Sequence, residues 1–521
     1  MAWPTRARWR TAAPREDDLA KTASDDETRR PDQSGGAAFT EGSILRHIVA
    51  TTSYGAIGLM TLFLVDLADL FFLSLLGQEE LAAAVGYAGS ILFFSTSLCI
   101  GLAIATAATI SRTIGRGDRD GARRLVAHNA SATILISLPL ALASWFLIPD
   151  FLDLLGATGR THELAVIYLQ IILPSMPLLA LAMAGGGVLR AVALPRLAMW
   201  STVGGGLVNA ALDPLLIFGL NLDIVGAAIA SVAARVAVFG LAWYWVLRQA
   251  DMLGPIMPRA WLADLRPFLY VALPAMATNL ATPVGNTVVI GALSEHGDEA
   301  VAGFAIIGRL IPVAFATVFA LSGAIGPIVG QNYGAGHFHR VRRALWNGLV
   351  FACVAVFVPS LLFYLLEEQI ILVFGATGGA AELIRVFIEG ITLLFIFVAA
   401  LFVANAAFNN LGQPLWATLS NWGRATVGTI PLVWLGDDLF GAPGILWGQA
   451  LGGVLFGALA FVAALWLVHK RRLKATPGLE ERFFRMPLQA TTVYRGWMPS
   501  AAALREEKER KTERAKERPS R

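Results

Sequence analysis

The stretch from Leu207 to Ser231 reads LVNAALDPLLIFGLNLDIVGAAIAS and contains an apolar run, a short turn and the start of a second apolar run. Asn209 and Asp213 stand one helical turn apart in the first run, so their side chains share one face of a helix. An acidic side chain at the centre of a membrane helix costs about 2.5 to 3.5 kcal/mol on insertion scales, and such residues usually face a partner or a water-filled cavity. The pair predicts a functional centre within a membrane. The alternative is that Asp213 only caps a helix or pairs structurally.

The composition indicates a membrane protein with many spans. Of its 521 residues, 56% are hydrophobic and 15% are charged, and the mean hydropathy is +0.62. A soluble core of that composition would be unusual. Cys99 and Cys353 lie in apolar runs and provide neither a disulfide framework nor a metal-binding spacing. The basic residues are concentrated in particular loops, which indicates membrane topology and argues against a nucleic acid partner.

Twelve apolar segments are long enough to cross a hydrocarbon core of about 30 Å at about 1.5 Å per residue. Their predicted bounds are 44–76, 82–111, 121–146, 162–191, 195–220, 224–248, 263–292, 299–328, 339–365, 382–410, 415–435 and 442–469. Lipid requires that every backbone N–H and C=O be satisfied within such a segment, which a helix achieves. The sequence therefore predicts an all-α polytopic protein surrounded by a lipid bilayer.

Charges in the loops orient these spans. Basic residues follow spans 2, 4, 6, 8 and 12, at Arg112, Arg116, Arg119, Arg123, Arg124, Arg190, Arg196, Arg248, Arg259, Arg266, Arg340, Arg342, Arg343, Lys470, Arg471 and Arg472. The opposite loops carry Glu79, Glu80, Asp150, Asp153, Asp223, Glu295, Asp298, Glu299, Glu367, Glu368, Asp437 and Asp438. By the positive-inside rule we expect both termini in the cytoplasm and a multi-pass protein of the cell (inner or plasma) membrane.

Two polar tails flank the spans. Residues 1–43 carry seven basic and eight acidic residues and cannot bury enough surface to fold, which predicts a disordered cytoplasmic tail. Residues 471–521 end in REEKERKTERAKERPSR, which predicts a charged cytoplasmic tail. Between the tails we expect two six-helix lobes, residues 44–250 and 251–470.

The two predicted lobes are copies of one pattern. Gly115, Gly117, Arg123 and Arg124 recur as Gly334, Gly336, Arg342 and Arg343, Pro195 recurs as Pro414, and Gly226 recurs as Gly444. The offsets of 218 to 220 residues contain six spans, an even number, so the copies have the same orientation in the membrane. The cleft between them is the expected substrate path.

Several stretches together resemble the multidrug and toxic compound extrusion (MATE) family. They are LLGQEELAAAVG (75–86), SRTIGRGDRDGARR (111–124), VLRAVALPRLAMWSTVGGGLVNAALDPLLIFGLNLDIVGAAIAS (188–231), VALPAMATNLATPVGNTVVIGALSEHGDEAVAGFAIIGRL (271–310) and GQNYGAG (330–336). The resemblance covers nearly everything between the tails. It implies a two-lobed efflux transporter of twelve helices, not an enzyme, that exchanges protons or sodium for small organic, usually cationic compounds.

The resemblance also implies a cation site in the first lobe. The family uses an Asp late in helix 1, an Asn and an Asp in helix 5 and a hydroxyl in helix 6, which fall on Asp69, Asn209, Asp213 and Ser231. Asp69, Asp213 and Ser231 each lie about seven residues, roughly 10 Å, from the outer end of a predicted span, so the four side chains can converge at one depth. The second lobe has Val288 or Val289 where the first has Asp69, so the acidic site has no second copy.

Asp66, one turn before Asp69, departs from the family pattern. Two ionised carboxylates about 6 Å apart would repel by roughly 3 kcal/mol at an effective dielectric near 20, so one should hold a proton at neutral pH. Asp66 is then a second proton acceptor or a residue facing water or Asn286. Sodium remains an alternative ion, bound by Asp69, Asn209, Asp213 and Ser231. We favour protons and expect no cofactor and no other metal.

Further candidates lie along the predicted path. Asn286, Phe304 and Arg309 could contact the substrate, with Phe304 stacking on a flat cation. A lipid-linked saccharide flippase of the same broader superfamily is the alternative function, and it would use Arg309 and Arg424 to bind a diphosphate. We expect most other intramembrane charges, such as Arg235 and Arg385, to form structural pairs. Nothing in the sequence calls for more than one chain, and we expect a monomer.

Overall fold

The computed structural model describes residues 37–74, 76 and 79–473, and all regular structure within these ranges is helical. The remaining residues, which include most of the two predicted tails, lie outside the described residues. The predicted all-α polytopic architecture is confirmed, and each of the twelve predicted spans has a counterpart.

Seven spans are single helices. They are span 1 (Ile44–Ser74), span 2 (Glu79–Gly115), span 3 (Arg119–Phe146), span 6 (Asp223–Arg248), span 7 (Pro258–Ser294), span 9 (Phe338–Leu365) and span 12 (Ala442–Leu473). Short helices follow spans 3 and 9, at Ile148–Leu154 and Glu367–Val373.

The other five spans are interrupted. Span 4 comprises Gly159–Ile172, the 3-10 turn Leu173–Ser175 and Met176–Ala191; span 5 comprises Pro195–Pro214 and the π-helix Leu215–Gly219. Span 8 comprises Asp298–Ala314 and Ala316–Gly334, bent by 50°. Span 10 comprises Gly378–Val386, the π-helix Phe387–Ile391, the 3-10 turn Thr392–Leu394 and Phe395–Asn410. Span 11 comprises Pro414–Gly423, the π-helix Arg424–Gly428 and Ile430–Phe440.

The internal repeat predicted from the sequence extends to the backbone. The 3-10 turns of spans 4 and 10 begin at Leu173 and Thr392, 219 residues apart. The turn after span 2 has Gly117 at φ +76°, and 219 residues later the turn after span 8 has Gly336 at φ +75°. Glycine suits these left-handed positions because it has no Cβ to clash with the backbone.

The two halves pack against each other mainly through spans 1, 2, 7 and 8. Span 1 packs on span 8, and span 7 packs on span 2 in the equivalent arrangement. A Cβ on Gly55 would lie 3.2 Å from the Cβ of Ala320, and a Cβ on Gly101 would collide with the backbone of Met276. Small residues at these crossings allow the helix backbones to approach closely, as is common in membrane helix packing.

A very close contact between the halves lies at the ends of spans 2 and 8. It is on the side of the molecule with the clustered arginines, which we call the basic side. A Cβ on Gly115 would collide with the carbonyl of Gln331, and a Cβ on Gly334 would collide with the carbonyl of Arg112. Gln331 also donates a hydrogen bond of 2.8 Å to the carbonyl of Ala191 at the end of span 4. These contacts join the two halves on the basic side.

The expectation of a disordered tail through residue 43 is wrong for its last part. Ala38–Thr40 forms a 3-10 turn, and the side chain of Phe39 is 2% exposed. The Phe39 backbone N–H donates to Gln331 Oε1 (2.9 Å), and its carbonyl accepts from Asn332 Nδ2 (2.9 Å). Contacts with residues about 290 positions away fix this segment, and tail composition does not reveal them.

We expect Gly334→Ala to lower the free energy of unfolding by about 1 to 3 kcal/mol, since the added methyl group overpacks the contact with Arg112. Gly240→Ala is the matched control, because a Cβ at Gly240 would meet nothing within 4 Å. Thermal unfolding of the detergent-solubilised protein measures both. An unchanged melting temperature for Gly334→Ala would contradict the close contact.

Candidate functional site

Asp69, Asn209 and Asp213 form one buried cluster between spans 1 and 5. Asn209 Nδ2 donates to Asp69 Oδ1 at 2.8 Å and to Asp213 Oδ2 at 2.5 Å. The three residues are 8%, 2% and 0% exposed. The structure therefore brings together three of the residues predicted from the sequence, with the amide placed between the two carboxyl groups.

Small residues and a helix irregularity produce this arrangement. A Cβ on Gly206 would press against the Thr61 side chain of span 1, so the glycine permits span 5 to lie close to span 1. Pro214 cannot donate a backbone hydrogen bond, and the π-helix Leu215–Gly219 begins directly after it. Single-turn π-helices are frequent at functional sites. Asp213 thus lies at the last regular turn of span 5 before its geometry changes.

The hydrogen bonds of the cluster leave one carboxyl oxygen without a partner among the described residues and provide no positive charge. Asn209 has two N–H donors, and the two carboxyl groups use them. Asp213 Oδ1 is buried and accepts no hydrogen bond from any described residue. A proton on one of the two carboxyl groups would let that group donate a hydrogen bond to the other. Since a buried unpaired carboxylate is costly, the cluster can bind a proton or a hard cation.

The other two residues predicted for the cation site are Ser231 and Asp66. Ser231 is partly buried on span 6, and among the described residues it makes no hydrogen bond to the cluster. Asp66 belongs to span 1, but its side chain lies outside the described part of the chain. The roles of both residues remain predictions.

The corresponding region of the second half is chemically different. Val288 is partly buried and Val289 is fully buried where the first half has Asp69. Asn286, on the same helix, accepts a hydrogen bond of 3.2 Å from Gln449 Nε2 of span 12. Gln449 was missed in the sequence analysis, although an uncharged amide inside an apolar span is a usable signal. The two halves, which were predicted to differ in residue type at these positions, thus also differ in the hydrogen bonds formed there.

Phe304 and Arg309, the other two residues predicted to line the substrate path, lie in different surroundings from each other. Phe304 is partly buried and packs against the hydrophobic core of the second half, whereas Arg309 is exposed on span 8. The structure does not join either residue to the acidic cluster.

Two of the remaining charges form structural pairs, as expected. Arg235 Nη1 donates to the carbonyl of Ile172 (3.2 Å) and to Ser175 Oγ (2.9 Å), beside the 3-10 turn of span 4. Arg385 pairs with Glu367 (3.4 Å) and Glu368 (3.1 Å). Burial, followed by the nearby Glu389 carboxylate, raises the pKa of Glu367, and Arg385 partly offsets this.

Comparison with known proteins gives consistent matches along most of the chain. The MatE family model matches residues 56–215 and 274–435. The FAD transporter of Shewanella oneidensis is 29% identical over 419 residues, covering 78% of this chain and 91% of that protein. The multidrug export protein MepA of Staphylococcus haemolyticus is 22% identical over 444 residues, covering 84% and 96%. A solved outward-facing structure of a multidrug resistance MATE family transporter has a TM-score of 0.78 at 22% identity, covering 85% and 99%.

We expect Asn209→Ala to destabilise the protein by about 1 to 3 kcal/mol, because it leaves two buried carboxyl groups without their amide donor. Adding Asp213→Asn to that variant should restore part of the loss, since one carboxyl group is then neutral and carries its own donor. The control is Asn286→Ala, which removes an amide whose partner, Gln449, is neutral. Thermal unfolding of all variants compares them, and equal losses for the two alanine variants would contradict the charged character of the cluster.

Proposed function

Because this chain belongs to the MatE family, whose members are membrane transporters and not enzymes, we propose that it exports small organic compounds in exchange for protons bound at Asp69, Asn209 and Asp213. The observation that supports this most directly is the buried Oδ1 of Asp213, which no described donor reaches. A proton shared by the two carboxyl groups satisfies that oxygen and removes the repulsion between them.

The orientation of Asn209 favours protons over sodium. Sodium is a hard cation and needs several oxygen ligands with both carboxylates ionised. Asn209 instead turns its Nδ2 group toward both carboxyl groups, so a sodium ion between them would face N–H donors. A proton can bind to a carboxyl oxygen without a change in the orientation of the Asn209 amide.

The transport cycle follows from where the cluster lies. The halves are in close contact on the basic side, which we assign to the cytoplasm by the positive-inside rule. We propose that the present conformation is closed there and receives protons from outside. Protonation of Asp69 weakens its charge-assisted hydrogen bond to Asn209 and releases span 1 from span 5. Movement of span 1 then disfavours bound substrate. Every part of this mechanism lies within one chain, and we propose a monomer.

Two chemistries are candidates for the exported compound. The acidic cluster favours organic cations, and the similarity to MepA, a multidrug export protein, supports a broad range of such compounds. The second candidate is a flavin-containing dinucleotide, because the similar Shewanella protein is named an FAD transporter and because Arg424 places a positive charge in span 11.

We expect efflux of a fluorescent organic cation from proteoliposomes to follow an imposed proton gradient and to fall to the undriven level in Asp213→Asn and Asp69→Asn. Amide replaces carboxyl at nearly constant volume, so these variants should remain folded. Val288→Thr, at the position in the second half that corresponds to Asp69, is the control and should retain driven efflux.

The same preparation tests the coupling ion. Since proton and substrate compete, the affinity for the cation should weaken as pH falls. Wild-type coupling in Asp213→Asn would refute the site, whereas pH-independent affinity with strict sodium dependence would refute the proton and leave the site intact.

A further inference from the structure

We propose that Arg424 forms an anion-binding subsite in the second half of the passage, which holds a phosphate or carboxylate group of the exported compound. The proposal rests on the transport function proposed above and assigns one part of its substrate. It concerns span 11, outside the acidic cluster.

Arg424 lies deep within its span, where exposure of its charge to lipid would cost free energy. It lies ten residues after Pro414, the first residue of span 11, or about 15 Å into a core of about 30 Å. A charge at the centre of a membrane almost always faces the bundle interior or a water-filled cavity. Arg424 is therefore directed toward protein or the passage.

The surrounding protein does not neutralise this charge. Arg424 Nη2 donates to Thr282 Oγ1 of span 7 at 3.1 Å, and the buried Nε has no hydrogen-bond partner among the described residues. Within the same residues, no carboxylate lies within 4 Å of the guanidinium, in contrast to Arg124, which pairs with Asp264 at 3.0 Å. Arg424 thus retains an uncompensated charge and an unused donor.

The neighbouring groups suit a polar ligand. Thr282 and Asn286 are four residues apart on span 7 and share one helical face. Asn286 accepts from Gln449, so this face is lined by neutral polar groups. The π-helix Arg424–Gly428 begins at the arginine itself, as single-turn π-helices often do at functional sites. A guanidinium presents a planar set of donors that matches carboxylate and phosphate oxygens.

The experiment compares riboflavin with flavin mononucleotide, which differs from it by one phosphate group. Equilibrium binding to the purified full-length protein should favour the phosphorylated compound by about tenfold or more, the range expected for a charge-assisted hydrogen bond. Arg424→Gln should abolish this preference, and Arg424→Lys should retain part of it. Arg342→Gln, which removes an exposed arginine of span 9, should leave the preference unchanged.

Retained riboflavin binding and a single peak in size-exclusion chromatography show that Arg424→Gln is folded. Equal binding of the two flavins by the wild type, absent binding of the phosphorylated one, or an unchanged preference in Arg424→Gln would overturn the proposal. Failure of Asp213→Asn to abolish driven efflux would refute the proton site instead, so the two failures are distinguishable.

A second inference concerns residues 37–43, which we define as the N-terminal latch. We infer that it stabilises the conformation closed on the basic side. Arg340 of span 9 donates to three carbonyls of the latch, those of Phe39 (3.1 Å), Glu41 (2.8 Å) and Gly42 (3.1 Å). The latch is continuous with span 1 of the first half, while Arg340 belongs to the second.

The latch also reaches the contact between the halves. Gln331 accepts from the Phe39 N–H and donates to the carbonyl of Ala191, so one side chain binds the latch and the end of span 4. Ala37 packs against the hydrophobic core of the first half, while Phe39 belongs to the core of the second. Separation of the halves on the basic side must break these contacts.

Cysteine labelling tests the latch. Ser111 is fully buried on the basic side and bonds to Asn410, so a Ser111→Cys protein without Cys99 and Cys353 reports opening. Arg340→Gln should raise its labelling rate by about tenfold, the effect of losing roughly one hydrogen bond to a charged group. Arg342→Gln, an exposed neighbour, is the control. Equal rates in all three proteins would overturn the latch, and Phe39→Ala provides the same test if Arg340→Gln is unstable.

Discussion

The reciprocal contacts of Gly115 with Gln331 and of Gly334 with Arg112 are the constraint on which the rest of the structure depends. Gly115 lies against the carbonyl of Gln331, and Gly334 lies against the carbonyl of Arg112, the residue 219 positions before Gln331. The same contact made twice, with the roles of the halves exchanged, indicates a twofold axis between spans 2 and 8. Any side chain at either glycine separates the two backbones. This close approach sets the distance between the two halves. It therefore constrains the crossings of span 1 with span 8 and of span 7 with span 2, and it constrains where the latch can bind.

A nearly symmetric backbone carries an asymmetric set of charges. The first half has two carboxyl groups around one amide at spans 1 and 5, whereas the second half has Arg424 and neutral polar groups at spans 7, 11 and 12. Both regions adjoin a π-helix, after Asp213 in span 5 and at Arg424 in span 11. Gene duplication would account for the shared backbone. The charged side chains differ between the halves because a charge within the membrane costs free energy and is retained only where it has a role. Opposite charges in the two halves are consistent with the two proposals above, a proton site in the first half and an anion-binding subsite in the second.

The sequence predicted most of the fold because membrane spans are long and apolar, and because the repeated glycines and prolines sit at turns where their backbone properties are required. It predicted the Asn209–Asp213 pair from spacing, while Asp69 came from family resemblance, since contacts between spans are not visible in one helical period. The ordered conformation of residues 37–43 could not be predicted, because their partners Gln331 and Arg340 are distant in the sequence and the segment itself is short and polar. The breaks in spans 5, 10 and 11 were also missed, since a π-helix has no residue pattern as clear as that of a capped terminus.

Span 1 physically connects the acidic cluster to the latch. It runs from Ile44, next to the latch, to Asp69 and beyond, about 38 Å along one continuous helix. Near its middle it crosses span 8 at Gly55 and Ala320, and it lies against span 5 at Gly58 and Thr202. A loss of charge at Asp69 would weaken its hydrogen bond to Asn209 of span 5, and a continuous helix would transmit a resulting tilt to its other end. Coupling between distant sites requires an element whose two arrangements both sites bias. Asp69 lies near one end of span 1, and Arg340 contacts the latch at the other end. The proton that we propose to bind at Asp69 would therefore alter the contacts of the latch.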